Sequence, residues 1–193
     1  MKGSMADHSD DHLVKLAKKG DVEAFAELAG RCQERIFYSI LALTKNHQDA
    51  SDLAQEALMQ AFKSLKTFKQ RSSFTTWVYR IAVNLTLNFL KKEKKDGARQ
   101  ILDESLFWAE VKEEASHSPE GHSLKRELSR KLGEAVDSLP LPYKASFVLV
   151  VFQGMTHNQA ARVLGCSENT ISWRMHRARK MLQARLRPYL EGR

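Results

Sequence analysis

The sequence predicts an all-α protein of two small helical domains joined by an acidic linker, the second domain carrying a helix-turn-helix. Three observations lead there. Apolar residues recur with helical spacing along nearly the whole chain, strand-like alternation is almost absent, and only 4 prolines and 9 glycines interrupt 193 residues. With 42% hydrophobic residues the chain can bury one core or two small ones.

Taken in order, helices are expected over about 10–19, 21–45, 49–68, 73–95, 119–138, 142–153, 156–164 and 168–190. Asp21 caps the second and Asp49 the third, because a short acidic side chain accepts from the orphan amides of a first turn. In the third, Leu53, Ala57, Leu58, Ala61, Phe62 and Leu65 face inward. In the fourth, Phe74, Trp77, Val78, Ile81, Ala82, Leu85 and Phe89 make a continuous inward stripe. Residues 96–118 fit no amphipathic template and form the acidic linker, with an apolar knot at Ile101, Leu102, Leu106, Phe107 and Trp108. Ser118 and Pro119 restart a helix as cap and first helical residue, where proline's missing N–H costs nothing. The expected domains are therefore 10–95 and 119–190.

The last two helices are the most informative. Thr156 and Gln159 have capping-box spacing, Ala160, Ala161, Val163 and Leu164 supply an apolar side, and Gly165 suits the left-handed backbone of a tight interhelical turn. Ser167 caps the final helix, in which Ile171, Met175, Ala178 and Leu182 recur on one face. The outward face carries Asn169, Ser172, Trp173, His176, Arg177 and Lys180. Arginine and asparagine match guanine and adenine edges in the major groove, so such a helix is suited to reading duplex DNA.

Charge points to the same class of partner. The formal net charge of +8 is distributed as −1 over residues 1–68, +6 over 69–99, −5 over 100–124 and +8 over 125–193. Two basic zones separated by an acidic one suit a polyanion gripped at two places. A membrane surface attracts the same charge, but there is no apolar run of spanning length and no signal-peptide pattern, so the expectation is a cytoplasmic protein without direct membrane insertion. Cys32 and Cys166 lack metal-ligand spacing and read as packing residues of a reducing compartment. The opening MKGSM looks like the remnant of an expression tag and stays outside the fold argument.

Two further faces are unusual. On the fourth helix Thr76, Arg80, Asn84 and Asn88 stand one turn apart, flanked by Tyr79, Val83 and Leu87, ahead of Lys91, Lys92, Lys94 and Lys95. Lysines at a helix C-terminus complement the macrodipole, but asparagine is a poor helix-interior residue, and two aligned with an arginine suit hydrogen bonding to single-stranded nucleic acid. On the third helix Asp52, Gln55, Glu56, Met59 and Lys63 face out. That acidic, amide-bearing face suits a basic protein partner, with Met59 as an adaptable apolar contact. The pairs His8/His12 and His117/His122 lack a supporting ligand set, and no nucleophile-base arrangement is evident. The expectation is a non-enzyme with no metal, cofactor or small-molecule substrate.

In this order, GDVEAFAEL (20–28), DASDLAQEALMQAF (49–62), SSFTTWVYRIAVNLTLNFLKK (72–92), SLPLPYKASFVL (138–149) and MTHNQAARVLGCSENTISWRMHRARKML (155–182) resemble a bacterial RNA polymerase sigma factor of the extracytoplasmic-function group. The resemblance implies an initiation factor whose N-terminal domain binds the polymerase clamp and melts the -10 element while its C-terminal domain reads the -35 element. By match of position it places Asp52, Gln55, Glu56 and Met59 on the clamp-binding helix. It places Lys69, Gln70, Arg71, Ser72, Ser73 and Phe74 on a loop that captures a flipped base, and Arg80, Asn84 and Asn88 on the -10 strand. Ser172, Trp173, Arg174, His176 and Arg177 fall on the recognition helix, beside the outward Asn169 and Lys180. It implies core RNA polymerase and promoter DNA as partners, adds an anti-sigma factor as a further candidate, and threads the linker toward the polymerase cleft. Ser51 stands where an acidic residue is common, Lys69-Gln70-Arg71 replaces a loop often containing Gly-Asp, and Trp173 replaces a small residue. The alternative is a stand-alone helix-turn-helix regulator, which leaves the Asn84/Asn88 row and the Asp52/Glu56 face without a role.

Overall fold

The computed structural model describes residues 8–96 and 120–191. The expected linker, with His117, Ser118 and Pro119, lies outside the described residues. The fold is all-α; the described residues contain no strand, and none of their helices is long and apolar enough to cross a membrane. The helices are α1 (Asp10–Lys18), α2 (Val22–Thr44), α3 (His47–Ser64), α4 (Phe74–Asp96), α5 (Glu120–Asp137), α6 (Leu141–Phe147), α7 (His157–Leu164) and α8 (Glu168–Glu191). The chain divides into two compact units, Met1–Gln100 with Ala161–Gly165, and Ile101–Ala160 with Cys166–Arg193.

In the first unit α2 is the central element. It packs against α1, α3 and α4, and α3 also packs against α4. Its last six residues, Ser39 to Thr44, are all buried, as expected of a helix end surrounded on every side. Asp21 caps it as anticipated, accepting from the Ala24 N–H at 3.0 Å. Lys45, at φ 58°, ends it by donating its N–H to the Leu41 carbonyl, an uncommon left-handed position for a side chain other than glycine. Asn46 then caps α3, its Oδ1 accepting from the Asp49 N–H at 3.1 Å. Asp49 is thus not the cap. It sits in the first turn, where its carboxylate complements the macrodipole, because the helix begins two residues earlier than the apolar pattern shows. The far end also differs: after Ser64 the chain tightens into a 3-10 turn, Leu65–Thr67, and is extended by Phe68.

Helix α4 is rotated from the expected stripe. Its buried residues are Phe74, Thr76, Val78, Tyr79, Ala82, Val83, Thr86 and Leu90, while Trp77, Ile81, Leu85 and Phe89 are half-buried. The reason is that α4 meets α2 and α3 together, so two adjacent faces are covered instead of one. Thr76, Tyr79 and Val83 accordingly belong to the interior, not to an outer row. In α3, Ala50 and Ala54 are buried while Phe62 is 47% exposed, its ring reaching only edge contact with Phe25 at 4.9 Å.

In the second unit α8 packs against α5 and α6. Lys144 of α6 is buried and pairs with Asp137 at the end of α5 at 2.9 Å, a fixed link between consecutive helices. Helix α6 does not run on to 153 in α form. Val148–Phe152 make a π turn, with Gln153 N–H donating to the Val148 carbonyl at 3.1 Å. Gly154, at φ 64°, ends it.

Cys32 and Tyr79 are both buried in the first unit, and burial pushes the thiol and the phenol up to about 12, the phenol despite its hydrogen bond with Ser39. Each is charged only when deprotonated, and the unfolded chain loses these protons near 9 and 10. Their contribution to stability is therefore complete below pH 9 and is lost as pH rises toward 12, at about 1.4 kcal/mol per pH unit for each group. Thermal melts between pH 8 and 11 should show Cys32→Ala losing stability less steeply than the parent. Parallel slopes would contradict the burial of the thiol proton.

Candidate nucleic-acid and protein interfaces

Helix α3 presents Asp52, Gln55, Glu56 and Met59 to solvent, all four exposed on one face through i, i+3 and i, i+4 spacing. Asp52 is held in place by the Gln48 side-chain amide, which donates to its Oδ1 and Oδ2 at 3.0 and 3.2 Å. The sequence pattern missed Phe62. Exposed one turn beyond Met59, it turns a lone methionine into an apolar spot beside an acidic one, a combination suited to a protein surface with basic and apolar groups.

The loop between α3 and α4 is bracketed by two buried phenylalanines, Phe68 and Phe74. Phe68 stacks on Trp77 at 4.8 Å, and Phe74 meets Phe25 and Phe68 edge-on at 6.1 and 6.2 Å. Phe74, counted with the loop on sequence grounds, is only 2% exposed, so its side chain is floor rather than contact surface. Lys18 of α1 donates to the Phe68 carbonyl and lies over the Phe68 ring, fixing the loop's entry. At its exit Ser73 caps α4, its hydroxyl accepting from the Thr76 N–H at 3.2 Å and lying 2.8 Å from the Thr76 hydroxyl. Between these anchors Lys69, Gln70 and Arg71 are exposed, and Ser72 is half-buried. Gln70 is held at φ 52° and donates to Asp11 at 3.4 Å. Along α4, Arg80, Asn84 and Asn88 stand exposed at four-residue intervals, followed by exposed Lys91, Lys92 and Lys94. A rigid loop with cations at its tip therefore adjoins a row of amides, with no carboxylate in the row itself.

The helix-turn-helix forms as its sequence requires. Gln159 N–H donates to the Thr156 hydroxyl at 3.2 Å while the Gln159 side-chain oxygen Oε1 accepts from the Thr156 N–H at 2.9 Å, a reciprocal capping box. Gly165 turns the chain at φ 63°, and Ser167 caps α8 by accepting from the Thr170 N–H at 3.1 Å. Ile171, Met175, Ala178 and Leu182 are buried, whereas Asn169, Ser172, Trp173, His176, Arg177 and Lys180 are exposed. Ser172 shares a hydrogen bond of 2.9 Å with His157 Nδ1, and Asn158 donates to Glu168 at 3.3 Å, so polar links tie the start of α7 to α8. Arg174 is half-buried and turns toward the Cys166 sulfur at 3.9 Å, away from the row of its exposed neighbours. Trp173 is 53% exposed, a large apolar side chain on the polar face, with Tyr143 and Arg177 beside it.

Among the described residues no group of three or more His, Cys, Asp or Glu is placed to hold a metal ion; His8 and His12 lie ring to ring at 4.7 Å without a third ligand.

Two family models match the chain, one after the other. Residues 28–96 match the family model for sigma-70 region 2, and residues 129–182 match that for sigma-70 region 4. The ECF RNA polymerase sigma-E factor of Haemophilus influenzae is 30% identical over 188 residues, 94% of this chain and 97% of its own. The RNA polymerase sigma-H factor of Pseudomonas aeruginosa is likewise 30% identical, over 96% of this chain and 98% of its own. The sigma factor RpoE from Bartonella quintana, solved in complex with the anti-sigma factor NepR, superposes with a TM-score of 0.66 at 23% identity over 86% of this chain and 98% of its own, and so shares the fold. With 30% identity extending over nearly the whole of both chains and the two sigma-70 regions in sequence, the chain belongs to the extracytoplasmic-function (ECF) group of sigma factors in the bacterial sigma-70 family.

Proposed function

We propose that this protein works in the cytoplasm by dividing promoter recognition between residues 10–95 and 119–190, the first reading the -10 element as melted strand and the second reading the -35 element as duplex. As a member of that family it is a non-enzymatic, RNA polymerase-associated, promoter-specific initiation factor; its relatives are named as RNA polymerase sigma factors. The observation that supports the division is one chain bearing two different exposed polar surfaces: amides on α4 beside a cation-tipped loop, and a basic face on α8. Amides and a rigid loop suit unstacked bases, whose edges are open to hydrogen bonding. A helix in the major groove suits paired ones. A stand-alone regulator would need only the second.

In this reading Lys69 and Arg71 meet phosphates at the tip of the loop. Gln70, Ser72 and the loop backbone form the base pocket, on a floor made by Phe68 and Phe74. Arg80, Asn84 and Asn88 hold the neighbouring strand. Unstacking a base costs a few kcal/mol, so a pocket that accepts it only when its edge fits selects sequence and drives melting in one step. Residues 96–118, roughly two dozen, reach about 80 Å when extended, enough to span promoter elements more than one DNA turn apart. The α3 face of Asp52, Gln55, Glu56 and Met59 binds the polymerase clamp. An anti-sigma factor, the kind of protein that RpoE is solved with, is a further partner for the same molecule.

Clamp binding is tested by charge reversal. Juxtaposed like charges cost several kcal/mol, so Asp52→Lys with Glu56→Lys should weaken affinity for core polymerase by about tenfold or more while leaving helical content unchanged. Unaltered affinity removes α3 from the interface.

Strand capture is tested on the promoter itself. Asn84→Ala, and separately alanine at Arg71 and Ser72, should spare closed-complex formation yet lower permanganate reactivity of -10 thymines and transcript yield. A template carrying a pre-melted bubble should restore part of that yield, since the unstacking cost has been met. Equal melting by variant and parent would sink the mechanism.

A further inference from the structure

We propose that Trp173 is a positioning residue for Arg177, so that discrimination at the base pair read by Arg177 depends on an aromatic plane one helical turn before it. This rests on the reading of α8 as the duplex-reading helix and deepens it by naming what aims its arginine. Trp173 is 53% exposed, on the side of α8 opposite the buried Ile171, Met175, Ala178 and Leu182, so burial in the core does not explain it. The Arg177 guanidinium carbon lies 5.8 Å from the centroid of the Trp173 ring, within the range where an aromatic face attracts a cation. The Tyr143 ring lies 5.8 Å from the same indole at 59°, so the tryptophan has a neighbour of its own.

The row of contacts from Tyr143 through Trp173 to Arg177 therefore starts on α6. That helix is a firm base, because the next residue, Lys144, is buried and ion-paired to Asp137. Among the described residues Arg177 forms no ion pair. Without the indole it is a long, unrestrained side chain.

Reading guanine requires the planar guanidinium to present two N–H groups to O6 and N7 together. An arginine already confined to one side of the helix loses less freedom when it does so, which favours the base that takes both bonds over those that take one. Tryptophan has the strongest aromatic face for this purpose. A small side chain at the same position leaves the arginine to find its geometry only after docking. The device is a matter of specificity, set by Trp173 and supported by Tyr143, while the base contact itself stays with Arg177.

The test uses the full chain bound to core polymerase, with competition binding on a set of duplex promoters in which every -35 position is varied in turn. Arg177→Ala should relax preference at one position. Trp173→Ala should relax preference at that same position by about two- to fivefold, the scale of an exposed cation–π contact, with unchanged helicity and melting temperature. Trp173→Phe should keep most of the preference, and Trp173→Ala should add nothing in an Arg177→Ala background. If the two substitutions act independently, or if Trp173→Ala relaxes a different position, the tryptophan is a base contact in its own right and the positioning role is overturned. If Arg177→Ala leaves every position unchanged, the duplex-reading assignment of α8 fails and the proposal with it.

Discussion

The covering of α4 by α2 and α3 at once is the constraint on which the first unit depends. A helix resting on one neighbour leaves half its circumference in water; one lodged between two leaves a strip. In α4 that strip is Arg80, Asn84 and Asn88, running into exposed lysines. Tyr79, Val83 and Thr86 are drawn inward on one side and Trp77, Ile81 and Leu85 partly on the other. The same packing fixes the loop before it, since Phe74 opens α4 and joins Phe25, Phe68 and Trp77 in one aromatic cluster. A loop built on such a floor is ordered before any ligand arrives, so less binding free energy would be lost to ordering it.

The second unit solves a different problem with more polar means. Helix α8 keeps one face buried and the other exposed, and the buried stripe of Ile171, Met175, Ala178 and Leu182 does the first. Local hydrogen bonds do much of the rest. The Thr156–Gln159 box, the Ser167 cap, the His157–Ser172 bond and the Asn158–Glu168 bond fix the helix ends and link the start of α7 to α8. The buried Lys144–Asp137 pair adds a rigid joint whose worth lies in geometry more than in net stabilisation, since burying two charges costs about what their attraction returns. Rigid support behind exposed side chains is what precise base reading requires.

What could be read from the sequence was whatever is local. Asp21, Thr156 with Gln159, Gly165 and Ser167 all act within four residues of themselves, and each appears where its chemistry placed it. The inward stripe of α8 was equally legible because a single period of 3.6 describes it. The α4 stripe was not, because packing on two neighbours cannot be seen in one helix's periodicity. Asn46, not the expected Asp49, caps α3, because either side chain can cap and only the backbone decides which amide is orphaned. The edge contact of Phe62 with Phe25 and the tilted contact of Tyr143 with Trp173 join residues distant in sequence, where no spacing rule applies. Among the site residues, exposure of Asp52, Asn84 and Arg177 followed from pattern, whereas the burial of Phe74 and the inward turn of Arg174 did not.

The central claim is that two separate surfaces on one chain read two promoter elements in two different states, and only with polymerase. In-vitro transcription by core polymerase plus this protein, on a library randomised across the promoter, tests it most directly. The account predicts two blocks of sequence preference more than one DNA turn apart, with a bubble opening the preference in the downstream block and leaving the upstream one intact, and no preference of comparable strength without core. A single block, bound equally well as duplex DNA in the absence of polymerase, would contradict it.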